Sequence, residues 1–196
     1  MIAYIYIVIC IVASYLIGGF NTGYYLVKYY SGNDLRTEYS GTVGATNAGR
    51  VMGKKGFALT FLGDFIKGVL VLEAARFLHF DNTVLLLLIP ACVLGHIFPI
   101  QLGFRGGKGM STVGGAVLGY YPLLFAISFP LFLTLIFITK SKLYGGLAGL
   151  FCLSFIAFVL NRDITEFSVL FATSLIIILK HRQDLILSFK KPINGE

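Results

Sequence analysis

The chain has 196 residues, 57% of them hydrophobic and only 13% charged, with a mean hydropathy of +0.83. A soluble domain usually carries about 25% charged residues, and no polar stretch here is long enough to enclose a core, so a separate soluble domain is excluded. The formal net charge of +7 fits a cytoplasmic face beside anionic lipids and anionic substrates, and it needs no nucleic acid.

Apolar runs predict an all-α polytopic membrane helix bundle, one domain over 1–196, crossing at about 2–27, 56–79, 83–102, 109–121, 122–139, 143–160 and 164–180. The first run carries no charge before Lys28 and has no basic segment ahead of it, so it reads as a retained span rather than a cleaved leader. The fourth is short and glycine-rich, and only Tyr120, Tyr121 and Pro122 separate it from the fifth. Seven crossings with the N-terminus outside put Lys28, Arg36, Arg50, Lys54, Lys55, Arg105, Lys108, Lys140, Lys142, Lys180, Arg182, Lys190 and Lys191 on the cytoplasmic side. Only Arg76 and Arg162 fall outside, and Lys67 lies within a span. Basic residues concentrate in cytoplasmic loops, so this orientation is favoured over six crossings. Cys10, Cys92 and Cys152 each sit in an apolar run with no C-x-x-C pairing and read as small buried hydrophobes.

Five polar stretches interrupt this pattern. Ser40–Arg50, SGTVGATNAGR, combines glycines, hydroxyls, an amide and a closing arginine. Backbone N–H groups and hydroxyls can form an anion nest there, with Arg50 as a bidentate phosphate clamp; the plain alternative is a solvated loop. Asp64 and Lys67, spaced i, i+3 on one helix face, are either a neutralising pair that locks the bundle or support for a site. His96, in Gly95-His96-Ile97-Phe98-Pro99, is a satisfied buried histidine, a proton carrier or a phosphate contact. Phe104-Arg105-Gly106-Gly107-Lys108-Gly109, followed by Ser111 and Thr112, lacks the Walker spacing. A lysine among glycines at a helix start still suits phosphate, and the alternative is a basic topology anchor. Lys180-His181-Arg182-Gln183-Asp184 ends the last span, where basic flanks are ordinary. The spacings Gly19/Gly23 and Gly115/Gly119 suggest helix packing. His79 receives no role. There is no H-x-x-x-x-D pattern, no zinc signature and no G-x-S-x-G elbow.

Taken in order, these residues resemble the bacterial acyl-phosphate:glycerol-3-phosphate acyltransferase family, small membrane enzymes with seven spans. That family's S-G-N-x-G-A-T-N-x-x-R is matched by Ser40, Gly41, Gly44, Ala45, Thr46, Asn47 and Arg50, and its D-x-x-K-G by Asp64, Lys67 and Gly68. Its G-H-x-x-P is matched by Gly95, His96 and Pro99, its F-x-G-G-K-G by Phe104 to Gly109, and its closing H-R by His181 and Arg182. The resemblance implies transfer of a fatty acyl group from acyl phosphate to the sn-1 hydroxyl of glycerol 3-phosphate. The products are lysophosphatidic acid and phosphate, made with neither metal nor CoA thioester at a bacterial inner membrane and a cytoplasmic-side site. A contact with the enzyme that supplies acyl phosphate is a further expectation. Arg50, Lys108 and His181 are then the catalytic candidates. Ser40, Gly41, Gly44, Thr46, Asn47, Gly106, Gly107, Gly109, Thr112, His96 and Arg182 are expected to bind substrate, and Asp64, Lys67 and Asp184 to support the site.

Thr42 and Asp184 stand where the family has Asn, and Leu143 and Gly146 where it tends to have serines. These departures suggest a divergent member and leave open an inactive paralogue that binds phosphorylated lipid precursors. An anion transporter is the other alternative, although the polar motifs gather toward one face and no internal repeat is evident.

Overall fold

The computed structural model describes residues 2–190. Lys191, the last of the basic residues assigned to the cytoplasm, lies outside them. Among the described residues all regular structure is helical: α1 (Ile2–Gly18), α2 (Thr22–Ser31), α3 (Ala45–Phe77), α4 (Asn82–Ile97), α5 (Met110–Tyr120), α6 (Pro122–Thr139), α7 (Lys142–Asn161), α8 (Ile164–Lys180) and α9 (Arg182–Lys190). Short 3-10 turns at Leu35–Thr37 and Ile100–Leu102 precede α3 and α5. The chain forms two compact units that divide after Pro122.

Four segments are long and apolar enough to cross a membrane: Tyr4–Ser31, Asn82–Leu102, Pro122–Thr139 and Lys142–Asn161. A fifth is α8 taken with Arg182–Ser188, which are bent by 52° at their junction. The other apolar runs are helical for recognisable reasons but fall short of this standard. α3 carries Asp64 and Lys67 at its centre. The eleven residues of α5 reach about 16 Å at ~1.5 Å per residue, against a hydrocarbon core of about 30 Å.

Two features of the first unit depart from the sequence expectations. The run at 2–27 is not one continuous helix; it breaks between Gly18 and Thr22. The stretch from Ala45 to Arg50 is not loop but the opening of α3, with Gly44 as N-cap. Eight residues later the helix kinks at Gly53, whose φ of 68° and ψ of −160° only glycine adopts readily.

Close helix packing depends on glycine. A methyl at Gly18 or Gly95 would overlap the Cys92 or Tyr15 carbonyl, so α1 and α4 meet backbone to backbone. Gly68 lies against the Thr112 carbonyl and Gly115 against the Phe65 carbonyl, which seats α5 on α3. The packing role expected of Gly115 and Gly119 is what these contacts provide. Cys92 is buried, Cys10 and Cys152 are half-buried, and all three are free thiols.

In the second unit, Gly145 and Gly149 bring α7 onto the α6 backbone at Ile136 and Phe132. Phe151, Phe155, Phe167 and Phe171 pack between α7 and α8, mostly edge to face, at centroid distances of 5.2 to 6.3 Å. The Asp163 carboxylate caps α8 at Thr165 and Glu166 N–H, and Asn161 Nδ2 donates to the buried Glu166 at 2.7 Å. Tyr144 and Ser188 hydroxyls, 3.1 Å apart, tie α9 to the start of α7.

Candidate active site

The segment before α3 is organised around Asn47, which is 1% exposed. Its Nδ2 donates to the carbonyls of Leu35, Glu38 and Thr42 at 3.0, 3.0 and 2.8 Å, and its Oδ1 accepts from Ser40 N–H at 3.2 Å. One amide therefore wraps residues 35–42 around the first turn of α3. Gly41, at φ +66°, supplies the reversal. Asn47, expected to touch substrate, is instead fully engaged with backbone, because a buried amide must satisfy its donors and acceptor.

What this wrapping leaves outward is a set of donors. Ser40 Oγ and Thr42 Oγ1 lie 3.1 Å apart. Thr46 and Arg50 are both exposed and, at i, i+4, share one face of α3. The first N–H groups of α3 have no carbonyl within the helix to bond, and they carry the positive end of its dipole. Arg50 makes no hydrogen bond or ion pair among the described residues.

A second segment packs against this one. Val27, Leu35, Val43, Ala48 and Leu102 form one buried apolar cluster, so the turn before α5 rests on the loop before α3. Arg36 reinforces the join. Its guanidinium is held by Asp34 at 2.6 Å, stands over the Tyr24 ring at 5.1 Å and donates to the Leu102 carbonyl at 3.1 Å. The bond from Arg36 holds the Asp34 carboxyl below the usual carboxylate range. The sequence alone marks Arg36 only as a topology signal, and Asp34 two residues before it is the local sign of this rigid turn.

In the turn itself, Gly106 N–H donates to the Ile97 carbonyl at 3.2 Å and Gly107 N–H to the His96 carbonyl at 3.0 Å. Both amides, expected to face phosphate, thus close the C-terminus of α4. Neither residue has space for a side chain: a methyl at Gly106 would overlap the His96 carbonyl, and one at Gly107 the His96 ring at Nε2. Lys108 follows, half-buried, and Gly109 (φ +94°) is the N-cap of α5. The groups of this turn whose chemistry suits an anion are the basic Lys108 and the opening N–H groups of α5. Thr112 is fully buried in the first turn of α5, and its hydroxyl has no partner among the described residues.

Behind that turn lies a buried ionic cluster. Lys67 Nζ donates to Asp64 Oδ1 at 3.0 Å, to the Phe20 carbonyl at 2.7 Å and to His96 Nδ1 at 2.9 Å. The Asp64 carboxylate also accepts from Thr22 N–H at 3.2 Å. The pair therefore satisfies two of the backbone groups freed by the break between α1 and α2, the Phe20 carbonyl and Thr22 N–H. Sequence reading missed this break, although Gly18-Gly19 followed by Asn21 at an N-cap is its ordinary signature. His96, offered as a phosphate contact, is 3% exposed and bound to Lys67.

His181, Arg182 and Asp184 belong to the second unit. His181 is the C-cap of α8, 8% exposed, and its Nδ1 lies 2.9 Å from the Ile177 carbonyl. A carbonyl only accepts, so Nδ1 carries the proton and, in the neutral ring, Nε2 carries the lone pair. Arg182 opens α9 and is exposed. Asp184 sits in the first turn of α9, where a carboxylate is favoured by the helix dipole. Leu143 is half-buried and Gly146 buried in the first turns of α7, and neither offers a hydroxyl.

Residues 8–191 match the family described as glycerol-3-phosphate acyltransferase. Glycerol-3-phosphate acyltransferase 1 of Desulfitobacterium hafniense is 39% identical over 175 residues, covering 89% of this chain and 87% of the relative. The glycerol-3-phosphate acyltransferase of Clostridioides difficile is 36% identical over 195 residues, covering 97% and 93%. Among solved structures, the glycerol 3-phosphate form of PlsY (YgiH), an integral membrane glycerol 3-phosphate acyltransferase, aligns with a TM-score of 0.85 at 30% identity over 96% of both chains. Its lysophosphatidic acid form aligns at 0.82 and 28% identity, over 96% of this chain and 95% of that one.

Proposed function

The chain belongs to the glycerol-3-phosphate acyltransferase family, and on that premise we propose that it acylates glycerol 3-phosphate with acyl phosphate as donor. The sn-1 hydroxyl oxygen attacks the acyl carbonyl carbon, a new ester C–O bond forms, and the C–O bond to phosphate breaks. Lysophosphatidic acid and inorganic phosphate result, an early step of phospholipid synthesis. The hydroxyl proton leaves to solvent as the ester bond forms.

One observation carries the assignment of residues. Thr46 and Arg50 stand together on the outward face of the first turns of α3, beside the Ser40 and Thr42 hydroxyls, and Arg50 has no partner among the described residues. A cation left unpaired at a helix N-terminus is arranged for an anion. We assign one substrate phosphate to this nest, and the other to Lys108 and the opening of α5. Acyl phosphate carries a good leaving group, so catalysis is mainly positioning and neutralisation of the departing charge. Gly106, Gly107 and Asn47 shape these sites without touching phosphate.

The same proposal places the enzyme in the bacterial inner membrane as one catalytic domain with seven crossings, the N-terminus outside and the site at the cytoplasmic face. The thirteen-to-two division of cations between the two sides, as the sequence assigns them, supports that orientation. The enzyme that makes acyl phosphate is the natural neighbour, since the donor is amphiphilic and hydrolysable. The test uses purified protein in lipid cubic phase with glycerol 3-phosphate and either palmitoyl phosphate or palmitoyl-CoA. Equal amounts of phosphate and lysophosphatidic acid from the first donor, and none from the second, are expected. Turnover with the thioester alone contradicts the donor assignment.

A further inference from the structure

We infer that Lys67 is a positioning residue for the reaction, acting through His96 on the turn that presents Lys108; this rests on the assignment of Lys108 and the start of α5 to a substrate phosphate. An ammonium has no lone pair, so the Lys67–His96 contact of 2.9 Å makes His96 Nδ1 the acceptor. The neutral imidazole then carries its proton on Nε2. That edge of the ring occupies the space a Gly107 side chain would need, one residue before Lys108. The His96 and Ile97 carbonyls accept the Gly107 and Gly106 amides, so both the ring and the backbone of this region form the bed of the turn.

The next residue in α3 holds the far end. Gly68 lies directly against the Thr112 carbonyl in the first turn of α5. Lys67 and Gly68, adjacent in sequence, thus brace the two sides of the segment 106–112. Lys67 is itself fixed by Asp64 and by the Phe20 carbonyl exposed at the break between α1 and α2. A bundle-locking ion pair needs only Asp64 and Lys67. The third bond, to His96, is what links the pair to the site.

Removing Lys67 alone strands a buried carboxylate and risks the fold, whereas replacing both members of a buried pair with apolar residues is often tolerated. The variant to make is therefore Asp64→Leu/Lys67→Met, beside Lys108→Ala. In 15N-histidine-labelled protein the three histidines give separable imidazole patterns. His96 is expected in the Nε2–H form and His181 in the Nδ1–H form. In the double variant His96 should lose its fixed form, with kcat/KM for glycerol 3-phosphate lower by about 100-fold, the scale of a small misplacement, while the melting temperature is kept. A folded double variant with an unchanged His96 pattern, or with normal kcat and KM, overturns the inference. If the double variant does not fold, His96→Gln and His96→Asn decide. Asn keeps an acceptor for Lys67 but not the ring edge against Gly107, and Gln the reverse, so each should lose activity with the melting temperature kept; parental activity in either variant overturns the inference. Normal turnover by Lys108→Ala instead overturns the assignment on which it rests, and that result is distinguishable because the His96 pattern is read without turnover.

Discussion

Arg36 Nη1 donates to the Leu102 carbonyl at 3.1 Å, and that bond joins the segment leading into α3 to the segment leading into α5. Asp34 aims the guanidinium. Because Arg36 lowers the Asp34 carboxyl's affinity for protons, this strut contributes fully above the ordinary carboxylate range. Its contribution disappears as pH falls through the depressed native value. The melting temperature should therefore fall on acidification, and Asp34→Asn should lower it near neutral pH while flattening the acid dependence. A pH series of thermal melts on the two proteins checks this; parallel curves count against the strut.

Asn47 is the single buried amide behind residues 35–42. Asn47→Ala takes the amide away from the Thr42 carbonyl and Ser40 N–H, and leaves the Leu35 and Glu38 carbonyls with only their backbone donors, at about 1–3 kcal/mol for a buried group left unsatisfied. Asn47→Asp should fare no better, since a carboxylate cannot donate to carbonyls. Thermal unfolding should show both variants destabilised together, and turnover should fall with them.

Gly53 lies at φ 68° and ψ −160°, with no atom within 4 Å of where a methyl would sit. Gly53→Ala therefore incurs no clash, only backbone strain of about 1–3 kcal/mol. Relief of that strain by rotating the first turns of α3 would carry Arg50 with them. Activity is expected to drop more than stability, and the ratio of the two losses, from kinetics and melting on the same sample, is the readout.

Asp184 replaces the asparagine of the family pattern, yet the first turn of α9 suits a carboxylate by about 0.3–1 kcal/mol. Asp184→Asn should leave the melting temperature nearly unchanged and alter kcat/KM only a few-fold. A large gain in activity would mean the natural residue impairs this enzyme.

The fold was readable where composition dominates. Runs of apolar residues located α4 through α8 and the later part of α3, but not its start at Ala45, because a helix in lipid must be apolar along most of its length. The break after Gly18 was hidden, because Gly and Asn inside an apolar run cost a length-based reading nothing. What compensates the break, Asp64 and Lys67, lies more than forty residues away. At the candidate site, Arg50, Lys108 and the neighbouring glycines are the residue types from which phosphate binding is proposed. The division of labour was not legible. Asn47, Gly106 and Gly107 carry donors of the kind a phosphate site uses, and only the structure shows those donors bonded to main-chain carbonyls. Arg36 was invisible for the converse reason, since its partner is a main-chain carbonyl at Leu102.

The most direct test of the site is the turnover of Arg50→Ala and Lys108→Ala, each checked by its melting temperature. Arg50 is exposed and makes no bond among the described residues, so its removal should shift stability by no more than about 0.5 kcal/mol. Both variants should form lysophosphatidic acid from palmitoyl phosphate and glycerol 3-phosphate about 100-fold or more slowly than the parent, the scale of losing one charge-stabilising group. Near-parental rates from either folded variant would contradict the placement of the substrate phosphates on these two cations.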